Sequence, residues 1–252
     1  MIKKKLKISV LIACLAIVFS SCSKDDPSSS SSTNGKTTAK FNSSISYGTL
    51  TDQDGNVYKS VTIGTQTWMA ENLRTTKYND GTDIPNVIDD VKWRNLTTGA
   101  YCNLLNIENS DIIAVFGRYY NWYAVNTGKL APKGWHVPTD AEWTKLTTYL
   151  GGDNIAGGKL KETGDDHWSA FWGAPGESKL NNGATNESGF TALPGGLRNV
   201  EYDGVSFGGG AVTGCWWSAT ASLARVLYNS DAIVRRLDSY QPSGLAVRLV
   251  KD

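Results

Sequence analysis

Histidine and methionine are scarce in this 252-residue chain, two of each, and cysteine occurs only four times. So few imidazoles and thiols leave little material for a metal centre, which typically draws three or four such ligands. An excess of one charge is lacking too: 25 Lys and Arg face 24 Asp and Glu. When Lys3, Lys4, Lys5 and Lys7 leave with the leader described below, 21 basic and 24 acidic side chains remain, a net of −3. No basic stripe is left to neutralise phosphates, which excludes nucleic acid as a partner. Long apolar runs are missing apart from Ile8–Phe19, so a multi-span membrane protein is excluded, although 40% hydrophobic residues suffice for a core. No Gly-x-Ser-x-Gly elbow, phosphate loop or His-Glu-x-x-His stretch occurs, and no cofactor is implied.

What is present begins with a positive segment, IKKKLK at 2–7, followed by that apolar run. Twelve residues rise about 18 Å as a helix, too short for a hydrocarbon core of about 30 Å, so the run reads as a signal core. It ends at Phe19-Ser20-Ser21-Cys22, which resembles a bacterial lipobox. That resemblance implies removal of residues 1–21, acylation of Cys22 and a membrane partner through the lipid. Ser23-Lys24-Asp25-Asp26 is similar to the surface-export signal of Bacteroidetes-type lipoproteins. An outer-membrane lipoprotein exposed at the cell surface is expected, with a periplasm-facing one as the alternative. Residues 22–47 are Ser/Thr-rich, with little to bury, and are expected to be a disordered tether. No second low-complexity break follows, so 48–252 is taken as one domain.

Within it, Asp54-Gly55 separates two alternating runs and predicts a β-hairpin, and Asp203-Gly204 repeats the signal. Asp52, Asp54 and Asn56 are spaced like calcium-loop ligands, but Val57 and Ile63 stand where that loop needs Gly and Glu, so the turn is preferred. Thr139 with Glu142 forms a capping box ahead of Trp143, Leu146 and Leu150, a helix that Gly151-Gly152 stops. A second helix over Asn154–Glu162 is weakened by Gly157-Gly158. Ala211–Trp217 and Ala246–Val250 read as strands, and the class is α+β with small sheets, one or two short helices and long loops.

Five blocks then carry a resemblance: VYKSVTIGTQTWMAENLRTTKYNDGT (57–82), GRYYNWYAV (117–125), GWHVPTDAEW (134–143), GATNESGFTALPGG (183–196) and WWSAT (216–220). Together they resemble the Fibrobacter succinogenes major paralogous domain family. The helix-leading block and GLAVRLVKD (244–252) are also similar to formylglycine-generating sulfatase-modifying enzymes. The resemblance implies a C-type-lectin-like fold whose N- and C-terminal strands pair. It also points to Ala131 and Leu249, which stand where the family typically carries two cysteines, a departure that reads as one disulfide replaced by core. The reactive cysteine pair of the sulfatase-modifying enzymes has no counterpart after Cys215, so that activity is not implied.

With Cys14 in the leader and Cys22 acylated, Cys102 and Cys215 are the candidate disulfide. His136 is expected to pack on Trp135, and His167, beside Asp165 and Asp166, to sit in a solvated loop. Trp68, Trp122, Trp135 and Trp143 are expected in the core. In Trp216-Trp217 strand alternation sends one ring inward and one outward. Trp and Tyr suit sugar stacking and protein anchoring. Trp168 and Trp172, with Asn181, Asn182 and Arg198 nearby, are therefore the candidate ligand contacts. The functional expectation is a non-enzymatic, lectin-like binding module for glycan or a surface protein. A structural adhesion component and a degenerate sulfatase-modifying-type enzyme are the alternatives.

Overall fold

The computed structural model describes residues 33–169, 180–201 and 204–252, all within one unit, Ser32–Asp252. Asp52 organises the first turn: its carboxylate accepts from the Asp54 and Asn56 amides at 2.9 and 3.0 Å and from the Tyr58 hydroxyl at 2.5 Å. With Gly55 at φ +81° this closes an antiparallel hairpin between β1 (Gly48–Thr51) and β2 (Val57–Ile63), the expected turn and not a cation loop. β3 (Gln66–Met69), β6 (Trp135–His136) and β12 (Val250–Lys251) complete a five-stranded sheet in the order β1-β2-β3-β12-β6. The far end of the chain is thereby inserted beside the N-terminal strands, as expected. The strand foreseen over Ala246–Val250 is mostly irregular, but the Met69 and Leu73 amides still bond the Leu249 and Val247 carbonyls at 2.9 Å.

A second sheet has β10 (Leu223–Tyr228) between β9 (Thr213–Trp217) and β11 (Arg235–Asp238). Two-stranded pairs are formed by β4 (Tyr101–Cys102) with β5 (Tyr119–Tyr120) and by β7 (Leu197–Val200) with β8 (Val205–Gly208), the second hairpin. The helix α4 (Asp140–Tyr149) carries the expected capping box, and α5 (Asp153–Leu160) follows. Among the described residues three further short α-helices occur, α1 (Asp90–Arg94), α2 (Ser110–Phe116) and α3 (Trp122–Asn126), capped by Asp89, Asn109 and Asn121. The architecture is α+β with several small antiparallel sheets.

Gly157 and Gly158 strengthen α5 where the sequence suggests weakness. A Cβ at Gly157 would lie 2.7 Å from the Ala232 carbonyl, and one at Gly158 would lie 2.2 Å from that of Gly183. Only bare backbone lets the helix pack this closely, which outweighs the propensity cost of glycine.

Three apolar cores stabilise these layers, and neighbouring residues serve different ones. Trp216 and Trp217 are both buried, the first in the core around Trp68, Trp143 and Phe190, the second in the core around Tyr58, Tyr120 and Leu249. The expectation that one ring faces solvent fails because the β9–β11 sheet is covered on both faces at this point. Tyr119 and Tyr120 divide in the same way. Trp68, Trp122 and Trp143 are core as expected, and Trp135 is half-buried. Ala131 and Leu249 lie in the same core, so the two positions are filled as ordinary packing. Arg248, fully buried, ties the layers together by donating to Asn72 Oδ1, Met69 O, Phe190 O and Thr191 O at 2.6–3.0 Å.

The stretch expected to be a tether is fastened to the domain from Thr33 onward. Arg74 Nε donates to Thr33 Oγ1 at 2.6 Å, the Val57 amide donates to Asn34 Oδ1 at 2.8 Å, and Lys36 Nζ bonds Ser110 Oγ at 2.7 Å. Further on, the Lys40 amide donates to Glu162, and Phe41, Ile45 and Tyr47 pack on the second core. Polar side chains supply hydrogen bonds here and three aromatic or aliphatic groups supply burial, which an average over a Ser-rich composition hides.

Candidate functional site

Two of the sequence candidates, Cys22 and Trp172, lie outside the described residues. Trp168 is described and is no ligand contact: it is fully buried, its indole N–H donates to Ala192 O at 3.0 Å, and Lys161 Nζ stands 5.4 Å from its ring. Arg198 is likewise structural. Its guanidinium donates to the Val87 and Ile88 carbonyls at 2.7 and 2.8 Å, pairs with Asp90 at 2.6 Å and stacks 4.5 Å from the Trp93 ring. Asn181 Nδ2 is occupied by the Glu162 and Gly164 carbonyls, and Asn182 Nδ2 by Ser230 O. The side-chain donors of all four hold loops in place, and Trp168 and Arg198 are buried, while Asn182 is exposed.

The candidate disulfide is not formed. Cys102 and Cys215 are separate buried thiols assigned to different cores, and burial pushes both up to about 12. A thiol so far from ionisation is a poor nucleophile at neutral pH.

Both histidines are bound more tightly than expected. His167 Nδ1 lies 2.7 Å from the buried Glu162 carboxylate, and Nε2 lies 3.0 Å from Thr38 Oγ1, so it sits at a seam and not in a solvated loop. His136 bridges Asp252 at 2.7 Å and Glu142 at 2.8 Å. Burial opposes its charge, but the two carboxylates outweigh that and raise its pKa, while Glu142 is lowered against its own burial by the Thr139 amide and His136. Packing on Trp135 is thus not its main role: it joins the end of the five-stranded sheet to the capping box of α4. Among the described residues no group of three or more His, Cys, Asp or Glu is placed to hold a metal ion. No described helix is long and apolar enough to cross a membrane.

A site with unspent chemistry lies over the second sheet. β7, β9, β10 and β11 border a recess of about 250 Å³ with an apolar floor of Leu197, Cys215, Val226 and Leu245. Asn199, Thr213, Asp238, Ser239 and two tyrosines, Tyr228 and Tyr240, form its rim. Tyr240 is 62% exposed. The loop carrying it is fixed, since the Ser239 amide donates to Ser222 O at 2.7 Å and the Ser243 amide to Tyr240 O at 2.8 Å. Tyr228 is held from behind by the Arg235 guanidinium, 4.8 Å from its ring and itself paired with Asp231 at 2.8 Å. The Asp238 carboxylate has no hydrogen-bond or ion-pair partner among the described residues. Two larger recesses, about 510 and 410 Å³, flank Tyr149, but Gln66 there is spent on Glu142 O and Glu187 on Lys159.

Sequence reading missed this recess because no motif marks it. The one local signal is the polar run Arg235-Arg236-Leu237-Asp238 ending near Tyr240, the composition of an exposed edge strand.

No curated protein and no solved structure matches the chain. A family model described as the Fibrobacter succinogenes major domain matches residues 61–251, which takes in the buried residues of all three cores except Leu50 and Tyr58, and the whole of the recess. The chain therefore belongs to the Fibrobacter succinogenes major domain family.

Proposed function

We propose that this protein is an outer-membrane lipoprotein, anchored through acylated Cys22 and exposed at the cell surface, whose lectin-like domain binds glycan without transforming it. The observation that carries the binding half is the recess over β9–β11. It places an exposed tyrosine ring, an unpartnered carboxylate and a serine hydroxyl around an apolar floor. A sugar ring has an apolar face for Tyr240 and hydroxyls for Asp238, Ser239 and Asn199, so the site matches both halves of its chemistry. The absence of catalysis is supported by the chemistry of the thiols: Cys215 in the floor is raised to about 12, and no histidine lines the recess. Anchoring is supported by the leader, the lipobox and the small residues before Cys22.

A glycan array probed with the purified protein tests the first half. Parent protein is expected to bind a subset of glycans, and Tyr240→Ala or Asp238→Asn to weaken that binding about tenfold with unchanged melting. A parent that binds no glycan, or variants that bind as well as the parent, overturn the reading. Labelling with a palmitate analogue tests the second half: parent is marked and Cys22→Ser is not.

A further inference from the structure

Two segments outside the lining of the recess present exposed aliphatic side chains. Ile88 and Val91, at the start of α1, are 59% and 71% exposed, and Leu105 and Ile107 are 47% and 38% exposed. The two segments are joined: Asn106 Nδ2 donates to Ile88 O at 3.1 Å, and the Val87 amide to Tyr101 O at 3.0 Å. Leu105 and Asn106 both adopt left-handed backbone, φ +52° and +56°. Such a conformation strains a leucine and is usually compensated by packing of its side chain, yet here the side chain faces solvent. A strained backbone that displays a large aliphatic group points to something that covers it.

The N-terminal segment comes near this patch at Lys36, which reaches Ser110 and Asp111 just after Ile107. Thr33 is held by Arg74, whose carbonyl accepts from Arg118 Nε at 3.0 Å, and Arg118 in turn bonds Asn103 and pairs with Glu108 at 3.8 Å. Asn103 and Glu108 bracket Leu105 and Ile107. Lys36 reaches the same region, bonding Ser110 at 2.7 Å. Ten residues, 23–32, separate Thr33 from Cys22, and their covalent reach is about 40 Å when fully extended. An acyl chain on Cys22 therefore confines the patch to the neighbourhood of the bilayer. Three of the acids around the patch are paired with basic side chains, Asp90 with Arg198, Glu108 with Arg118 and Asp111 with Lys36, while Asp89 caps α1 and keeps its charge. Their engagement limits repulsion from an anionic headgroup layer.

We infer that Ile88, Val91, Leu105 and Ile107 form a membrane-docking face that seats the domain on the lipid surface. This rests on the anchoring reading above for its setting in the cell. It makes the protein a two-point binder, by lipid and by aliphatic knobs, and fixes which side of the domain faces the bilayer.

The test supplies the tether chemically. The chain with residues 1–22 replaced by a hexahistidine tag is held on vesicles of phosphatidylethanolamine and phosphatidylglycerol through a nickel-chelating lipid. No described core residue precedes Ala39, so the replacement leaves the cores intact. Hydrogen exchange is then compared on and off vesicles. Exchange over 86–94 and 103–109 is expected to slow about tenfold on the bilayer, while 235–241 is unchanged, and Val91→Asp with Leu105→Asp is expected to abolish the protection. Unchanged exchange at 86–109, protection that survives the double substitution, or protection spread evenly over the domain overturns the inference. Because nickel replaces the acyl chain, a negative palmitate labelling of the parent defeats the anchoring reading without deciding this result.

Discussion

The neighbourhood of Trp168 and the recess beneath Tyr240 are both rich in aromatic and polar side chains, yet they do opposite things. Around Trp168 the side-chain donors are spent inside the protein: the indole on Ala192 O, Lys161 Nζ on the Asn182, Tyr228 and Asp231 carbonyls at 2.8–3.1 Å, Asn181 Nδ2 on two further carbonyls. Around Tyr240 the ring is exposed, and the exposed Asp238 carboxylate has no protein partner among the described residues. Aromatic content alone does not mark a binding surface. What marks one is chemistry left over after the fold has taken what it needs.

The sharpest way to break this contrast is to remove the buried ring. Trp168→Ala is expected to destabilise the domain by about 4 kcal/mol, through lost packing and an orphaned carbonyl, measured by urea unfolding. Unaltered stability with selective loss of ligand would reverse the roles of the two regions. Next in size is Gly158→Ala. In an exposed helix this change stabilises by up to about 1 kcal/mol, but here the new methyl meets the Gly183 carbonyl, and a loss of about 2 kcal/mol is expected. A gain on thermal melting would show that the loop carrying Asn181 and Asn182 yields easily and is not the rigid element described.

His136 tests a third kind of contact, an ion pair at a half-exposed seam. Its folded pKa is raised above the ordinary imidazole value, so its contribution to stability is fully present below that value. The contribution is lost as pH rises through the raised one. Parent melting temperature is expected to fall across that window, and His136→Gln to flatten this slope. A parallel pH profile in parent and variant would remove the Asp252–His136–Glu142 bridge from the list of stabilising contacts. The smallest effect belongs to the recess: Tyr240→Ala is expected to change stability by no more than about 0.5 kcal/mol, since its ring buries little. A large loss would mean that Tyr240 belongs to the fold, as Trp168 does.

Local signals in the sequence were readable and longer-range ones were not. Thr139 and Glu142 specify the start of α4 within four residues, and Asp54-Gly55 between two alternating runs marks the first hairpin, so both were legible, whereas the part that Asp52 plays in closing the turn was not. Trp216 and Trp217 were half-legible: alternation gives opposite faces correctly, but whether each face is wet depends on what the rest of the chain lays over β9. The two glycines of α5 were misread because their reasons are the carbonyls of Ala232, 75 residues from Gly157, and of Gly183, 25 residues from Gly158. His136 was misread for the same cause, with one of its carboxylates 116 positions distant. The recess was invisible because it is defined by what its side chains do not touch, a property of the finished fold.

β12 sits between β3 and β6, and Arg248 just before it reaches Met69 across 179 positions of sequence. The sheet that begins at Gly48 thus stays unlocked until residues near 250 have been delivered. Pairings that span this much of the chain close late in folding, so the completed sheet reports that the whole domain has been delivered.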